Sequence, residues 1–580
     1  MCLAQDAAKL FEKQCAICHN SSSESRAPLP SALKILPKEK ILAALESGSM
    51  KSQGSELTRD QRFALASYLT SGAVVDQVKS NDCAPAGFSI APGEAGWTGW
   101  GVDPENTRFQ SAKAAGLDKA KVTRLKLKWA FGFAGQTTAP AQPILAGGRL
   151  FFGSGDGTVY SLDAKTGCQY WSFKAPVTVR AAISIEPLGQ GRYAAYFGDT
   201  KANMYAVDAQ TGKLLWQTHV DEHPYARVTG APALSGGRLF VPVSSVEEPP
   251  AQNVKYPCCT FRGNVVALDS KTGKQIWKSY AIPDPPKPSR VNSAGTQLSG
   301  PAGAAIWSAP TLDLKRKALY VATGNSYTSP ADRHSDAIVA FDMETGSMLW
   351  SQQMTADDGW NFSCINPNKA SCPENPGEDL DFGSSPILKT VGGKDLLIVG
   401  QKSGVVHALD RGQLGKIVWQ TRIGHGGALG GIEWGSAADD DNVYVALSDI
   451  NQRKPETGGG MFALRLATGE KVWSTPAPKP SCLGTRGCTA AQMAAVTLIP
   501  GVVFSGSMDG HLRAYETGGG EIVWDYDTLQ TYQTVNGLTA RGGSLNAAGP
   551  TVAGGMLYVN SGYGALGGMA GNVLLAFAPE

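Results

Sequence analysis

From about residue 125 to the C-terminus, apolar and polar residues alternate over short runs, and turn residues separate the runs. That pattern predicts short β-strands with one buried face. A longer pattern lies over it. Strand after strand runs into A-x-D-x-x-T-G-x-x-x-W or a variant: SLDAKTGCQYW, AVDAQTGKLLW, ALDSKTGKQIW, AFDMETGSMLW, ALDRGQLGKIVW, ALRLATGEKVW and AYETGGGEIVW. These copies close on Trp171, Trp216, Trp277, Trp350, Trp419, Trp473 and Trp524. Four strands in each period of roughly 40 to 70 residues predict the blades of a β-propeller. LKLKWAFGF, with Trp129, reads as an outer strand without its predecessors, and the C-terminal NVLLAFAPE lacks a closing Trp strand. Joining the two ends completes an eighth blade and removes the exposed sheet edges. The expected fold is mainly β, an eight-bladed propeller over residues 93–580, in which each repeat Trp packs between blades.

Residues 1–75 follow a different period. AKLFEKQC, ILAALESGSM and LTRDQRFALASYL read as helices, so a small all-α domain is expected, joined to the propeller by a polar linker over 76–92. Its first helix ends in C-x-x-C-H at Cys15, Cys18 and His19. Two thiols at that spacing reach the two vinyl groups of one haem, and the adjacent imidazole becomes an iron ligand. A zinc site would need more ligands, but His19 is the only histidine before His219, and residues 20–82 hold no cysteine. Met50, the only methionine between Met1 and Met204, sits after the second helix and is the candidate sixth ligand. The layout resembles a small class I cytochrome c with one covalent haem c.

Composition narrows the class. The 580 residues carry a net charge of +2 and 18% charged side chains, so no basic field points to nucleic acid. No apolar run approaches the roughly 20 residues of a membrane span. Setting aside the haem motif, nine of the 11 cysteines remain, many for a reducing cytoplasm. Cys364/Cys372 and Cys482/Cys488 read as small disulfide loops. An exported, periplasmic protein is expected, with the leader already removed, because MCLAQDAAKL has no signal-peptide pattern. Cys2 reads equally as a lipid-anchor remnant, a disulfide partner or an expression artefact.

A propeller with Trp-docking repeats and a fused cytochrome resembles the pyrroloquinoline quinone (PQQ) alcohol dehydrogenases, over about residues 90–580. The resemblance implies bound PQQ and a divalent cation, usually calcium. FVPVSSVEEPP puts Glu247 in the metal position, with Glu248 the nearest alternative. ALYVATGN supplies Asn325, and QMTADDGWNF supplies Asp358 in preference to Asp357, as ligand and catalytic base. Oxygen donors of these types suit a hard cation. Trp307 in GAAIWSAPTLD would floor the quinone. Arg180 in TVRAAISIEP, Thr229 in VTGAPAL and Ser244 would bind its polar edge. Lys402 in GQKSGVVHALD would stabilise the developing oxyanion. The adjacent pair Cys258-Cys259, a device of this family, follows the metal loop rather than preceding the Arg matched by Arg180, which leaves its contact with the quinone open. Insertions at 281–304 and 360–382 are expected to cap the cofactor face.

The implied reaction is removal of a hydroxyl proton by Asp358 with hydride transfer to the quinone. Electrons would then pass to the haem and on to an external cytochrome c or other acceptor. The N-terminal position of the cytochrome resembles the polyvinyl alcohol dehydrogenase branch, which turns secondary hydroxyls of a polymer into ketones. A quinoprotein for small secondary alcohols, polyols or aldehydes, and a non-enzymatic propeller scaffold, are the alternatives.

Overall fold

The computed structural model describes residues 7–19, 27–28, 30–34, 36–48, 50–70, 80–450, 454–565 and 567–580. Cys2 and residues 71–79, at the expected domain boundary, lie outside these. Eight antiparallel blade sheets follow in sequence, seven of four strands and one, over residues 226–280, of five. Blades 1 to 7 occupy residues 144–174, 184–219, 226–280, 311–353, 387–422, 437–476 and 497–527. Blade 8 takes three strands from residues 551–579 and its outer strand, Leu125–Gly132, from the other end of the propeller. That strand pairs antiparallel with Val573–Pro579, from Leu125 opposite Pro579 to Gly132 opposite Val573. The ring closes as the repeat pattern implied.

The repeat motif is a docking device. Asp163 accepts hydrogen bonds from the amides of Lys165 and Thr166 and from the Thr166 hydroxyl, which tightens the turn. The following Gly has positive φ in blade after blade, and a Cβ there would collide with the Trp of the preceding blade: Gly212 with Trp171, Gly273 with Trp216, Gly346 with Trp277. The indole N–H of Trp171 donates to the carbonyl of Ala209 at 3.0 Å, and that of Trp216 to Ser270 at 2.9 Å. Trp and Gly are thus two halves of one inter-blade contact, and the tryptophans are committed to it.

One element had no signal in the repeats. Residues 97–110 cross one end of the channel and bond to the inner strands of seven blades in turn. The backbone of Trp97 pairs with Leu145, that of Thr98 accepts from Ile185, and that of Pro104 accepts from Leu312. Glu105, Thr107 and Gln110 reach Leu388, Ala438 and Leu498 in the same way, and the Gln110 side chain reaches Val552. Arg108, 1% exposed, sits at its centre and donates to the carbonyl of Val496 and to Gln142. The channel is therefore closed at this end.

The stretch expected as linker joins blade 1 from residue 81. Cys83 forms a disulfide with Cys168, and its amide donates to the carbonyl of Gln169 at 3.0 Å. Cys364–Cys372, Cys482–Cys488 and Cys258–Cys259 complete four disulfides among the described residues. The two insertions meet each other: Arg290 donates to the carbonyl of Ala370, and Asn292 to Val254 and Ser371. The N-terminal helices, chiefly Lys38–Glu46 and Arg59–Thr70, enclose their own small core of Phe11, Ile41, Leu45, Leu65 and Leu69.

Candidate active site

At the end opposite to the crossing segment, the blade connections surround a cavity of about 910 Å³ including its mouth. A narrow extension runs below it to Trp100 of the crossing segment. Trp307, in the loop entering blade 4, lies over Gly383, where any Cβ would strike the indole ring. Trp434 stands edge-on to it, with ring centroids 4.9 Å apart. One wall is basic. Arg180 lies 4.7 Å over the Trp434 ring and donates to the Tyr563 hydroxyl at 3.3 Å. Arg227 is beside it, and burial together with Arg180 pulls its pKa down to about 10. Thr229 and Ser244 share a hydrogen bond of 2.7 Å on the same wall.

The opposite wall is acidic. Glu248, Asn325, Asp379 and Asp381 line it, with Lys402 among them. The Lys402 ammonium donates to Asp379 at 3.1 Å and to Asp381 at 3.0 Å. Burial opposes its charge, but these carboxylates outweigh burial and hold its pKa well above the usual lysine value. Burial and the neighbouring Asp381 push Asp379 up to about 8, against the pull of Lys402. Burial, Asp379 and Asp381 raise Glu248 well above the carboxylate range, and its Oε1 has no hydrogen-bond partner among the described residues.

Of the residues expected from sequence, Arg180, Thr229, Ser244, Trp307, Asn325 and Lys402 come together on this cavity. Glu247 and Asp358 do not line it. The Glu247 carboxylate points back into the protein, accepting from the amides of Thr260 and Phe261 and from the Tyr256 hydroxyl. Burial opposes ionisation there, yet His223 and these donors hold its pKa below the usual value. Its neighbour Glu248 faces the cavity instead. Asp358 accepts from the amides of Asp379 and Leu380, and Gly377 leaves room for its carboxylate. It anchors the loop that carries the acids of the wall. Cys258 and Cys259 are buried in a core cluster, and Cys258 borders a separate small pocket that Tyr327 also lines.

Arg227, Glu248, Asp379, Asp381 and Trp434 are the cavity residues that the motif comparison had not put in place. Asp379 and Asp381 lie two apart in one loop, and both carboxylates accept from Lys402. Asp379 also holds φ 62°, a left-handed conformation that costs energy and is fixed here by the Asp358 bond to its amide.

The β-propeller domain family of glucose, ethanol and alcohol dehydrogenases, which use PQQ, matches residues 97–370, and the outer membrane assembly factor BamB family matches 401–541 and 463–578. A polyvinylalcohol dehydrogenase of Pseudomonas sp is 41% identical over 611 residues, covering 99% of this chain and 94% of that protein. The chain belongs to the polyvinyl alcohol dehydrogenase family. A second member, from Sphingopyxis sp. (strain 113P3), is 40% identical over 99% of this chain and 93% of its own length. The quinohemoprotein alcohol dehydrogenase structure from Comamonas testosteroni has the same fold, with a TM-score of 0.61, 19% identity and coverage of 84% and 82% of the two chains. The chain is thus an oxidoreductase with PQQ-dependent alcohol dehydrogenase activity.

The cavity fits that activity. A flat, multiply anionic quinone finds an indole floor and two arginines. A cation finds the unpartnered Glu248 oxygen and the Asn325 carbonyl, since the Asn325 amide N–H groups are used by the carbonyls of Ser326 and Trp360. Among the described residues, no three acidic, His or Cys groups already converge on one point, because Lys402 holds two of the acids. The N-terminal module also fits haem. Cys15 and Cys18 form no disulfide. His19 is 7% exposed, and its Nδ1 donates to the carbonyl of Pro28 at 2.7 Å, which leaves Nε2 as the lone-pair nitrogen. Met50 and Cys15 pack on the same small core.

Proposed function

We propose that this protein oxidises secondary hydroxyl groups of polyvinyl alcohol to ketones and passes the electrons through haem c to an external one-electron acceptor. The observation that carries the chemistry is the single cavity that joins a Trp307 floor, the Arg180 and Arg227 pair, and the cluster of Glu248, Asn325, Asp379, Asp381 and Lys402. The polymer assignment rests on the relatives' shared length and their substrate name. PQQ, when bound beside calcium, supplies the electrophilic carbonyl that takes up the hydride and so two electrons.

The chain's own residues do the rest. Trp307 supports the ring, and Arg180, Arg227, Thr229 and Ser244 bind its carboxylates. Glu248 and Asn325, with Asp379 or Asp381, hold the cation through oxygen donors. Asp379 takes the substrate hydroxyl proton, a role that suits a carboxylate with a pKa raised toward neutrality. Lys402 keeps a positive charge against the developing oxyanion. Asp358 orients Asp379 through its amide. Cys15 and Cys18 attach the haem, and His19 and Met50 ligate its iron. The four disulfides favour an oxidising, periplasmic location.

The test is dye reduction by protein loaded with PQQ and calcium, on polyvinyl alcohol, a small secondary alcohol and ethanol. Polyvinyl alcohol is expected to give the highest kcat/KM. A preference for ethanol would overturn the polymer assignment, and a preference for the small secondary alcohol would move it to that class.

A further inference from the structure

The N-terminal module is seated on the propeller at two places. The Lys40 ammonium is half-buried and donates to Gln136 of the propeller at 3.0 Å. Burial lowers its pKa, and Asp156 of blade 1 opposes that shift. Pro37 meets Gly135 closely enough that a Cβ on Gly135 would lie 2.6 Å from the ring. Nearby, Ala27 and Pro28 line a second cavity of about 1230 Å³ including its open part, shared with the propeller's Met569, Gly564, Gly568 and Arg541. Pro28 is the residue whose carbonyl takes the His19 Nδ1 proton. His19 is therefore tied to a residue that lines a cavity shared with the propeller.

A tight hairpin, described over residues 562–565 and 567–571, touches both cavities: Gly564, Gly568, Met569 and Gly571 line the second, and Tyr563 reaches Arg180 of the catalytic one. Its glycines allow the backbone to fold on itself: a Cβ on Gly562 would strike Gly571, and one on Gly568 would strike the carbonyl of Tyr563. Tyr563, 2% exposed, projects to the catalytic side, where its hydroxyl accepts from Arg180. Its backbone amide donates to the carbonyl of Met569, on the haem side. A parallel link runs from the Trp434 indole N–H to Asn546 at 2.7 Å, and from the Met569 amide to Ser544, two residues earlier. The hairpin is thus hydrogen-bonded to residues of both cavities.

We infer that this hairpin, with Tyr563 as its key side chain, is the electron bridge from the catalytic cavity to the haem, and that electrons enter the haem from its His19 side. The inference rests on the haem and PQQ reading above. Each alcohol oxidised leaves two electrons and two protons in the catalytic cavity. The electrons cross the hairpin one at a time to ferric iron, which an external one-electron oxidant (an oxidised haem protein or a dye) restores. The protons stay on the catalytic side and leave by the carboxylates. Tyr563 is a positioning residue here, holding Arg180 and the hairpin in one contiguous path.

Two measurements test this in the full-length protein. The first uses the haem-loaded protein without PQQ: zero-length amine-to-carboxyl crosslinking followed by peptide mass spectrometry. A link from Lys40 to a carboxylate of the propeller is expected, and the absence of any link from Lys40 to the propeller would overturn the docked geometry. The second uses anaerobic stopped-flow mixing of the PQQ- and calcium-loaded holoenzyme with substrate, reading the quinone and haem bands separately. Tyr563→Leu is expected to slow haem reduction at least tenfold beyond any slowing of quinone reduction, with the haem potential unchanged, and Tyr563→Phe, which keeps the ring but loses the Arg180 bond, to recover part of the rate. Haem reduction at the wild-type rate in Tyr563→Leu, or equal slowing of both bands, would overturn the bridge. If the wild type bleaches its quinone band but never reduces haem, the bridge is also wrong. If the quinone band itself does not respond to any alcohol, the proposed function fails instead.

Discussion

The two walls of the catalytic cavity carry opposite charge and differ in how far they are satisfied from within. On the basic wall, Arg180 and Arg227 stand near each other with no carboxylate as a partner in the described salt bridges, and the Arg227 Nε is buried without a hydrogen-bond acceptor. On the acidic wall, Lys402 already neutralises Asp379 and Asp381, while Glu248 keeps a bare oxygen. The basic wall is prepared for an anion that must come from outside. The acidic wall holds an internal cation that an incoming metal must share or displace. Two like charges in low dielectric are costly until a ligand arrives, so binding energy from the quinone and the metal is built in as the relief of that cost.

The sharpest way to break this contrast is at the acid that takes the proton. Asp379→Asn is expected to lower kcat by about 10²- to 10⁴-fold with PQQ affinity little changed, measured by dye reduction and by PQQ titration. An unchanged kcat would remove Asp379 from the proton-transfer role. Next in size is Lys402→Gln, which leaves buried acids without their cation. Urea unfolding of the PQQ-free protein should show a loss of about 3 kcal/mol or more, regained when calcium is added. If calcium restores nothing, the acids do not form a cation site.

The adjacent glutamates separate the two kinds of acid within one loop. Glu248→Gln is expected to weaken calcium-dependent reconstitution at least tenfold, about 1.4 kcal/mol, without lowering the unfolding midpoint. Glu247→Gln should do the reverse, costing about 1 to 3 kcal/mol of stability because buried donors lose their charged acceptor. The opposite outcome would return Glu247 to the metal. On the basic wall, Arg227→Gln should raise the PQQ dissociation constant about tenfold, with kcat at saturating PQQ retained.

The last prediction concerns pH. His407 is buried behind the acidic wall, next to Gln401, and burial and then Arg422 depress its pKa to about 4. The folded state stays neutral there while the unfolded chain gains a proton below about pH 6.5. Stability is therefore lost as pH falls from about 6.5 to 4, by at most about 3 kcal/mol. His407→Gln should flatten the unfolding free energy across that window, and an unchanged slope would assign the loss to other groups.

The propeller was legible because its signal is repeated. Each Trp and each turn Gly recur in register, and the orphaned strand of Trp129 states where the ring must close. The haem motif was legible because its five residues are contiguous. The catalytic walls were legible only in part. Trp307, Asn325 and Lys402 sit at the ends of regular strands or in loops whose flanking pattern fixes them. Glu247 and Glu248 are one residue apart in an irregular loop, and which of them turns inward depends on the amides of Thr260 and Phe261, far along the chain. Asp358 and Asp379 were likewise separated by an insertion whose path no periodicity describes. The crossing segment at residues 97–110 pairs with inner strands of seven blades, a set of contacts that no local pattern can announce.

The most direct measurement is titration of PQQ into the haem-containing, PQQ-free protein with and without calcium, followed by indole fluorescence and by substrate-dependent dye reduction. One equivalent of PQQ should quench Trp307 and Trp434 and switch on alcohol oxidation, with calcium required. Saturable quenching and activity that are indifferent to calcium, or no PQQ-dependent oxidation of any alcohol, would contradict the cavity's assignment.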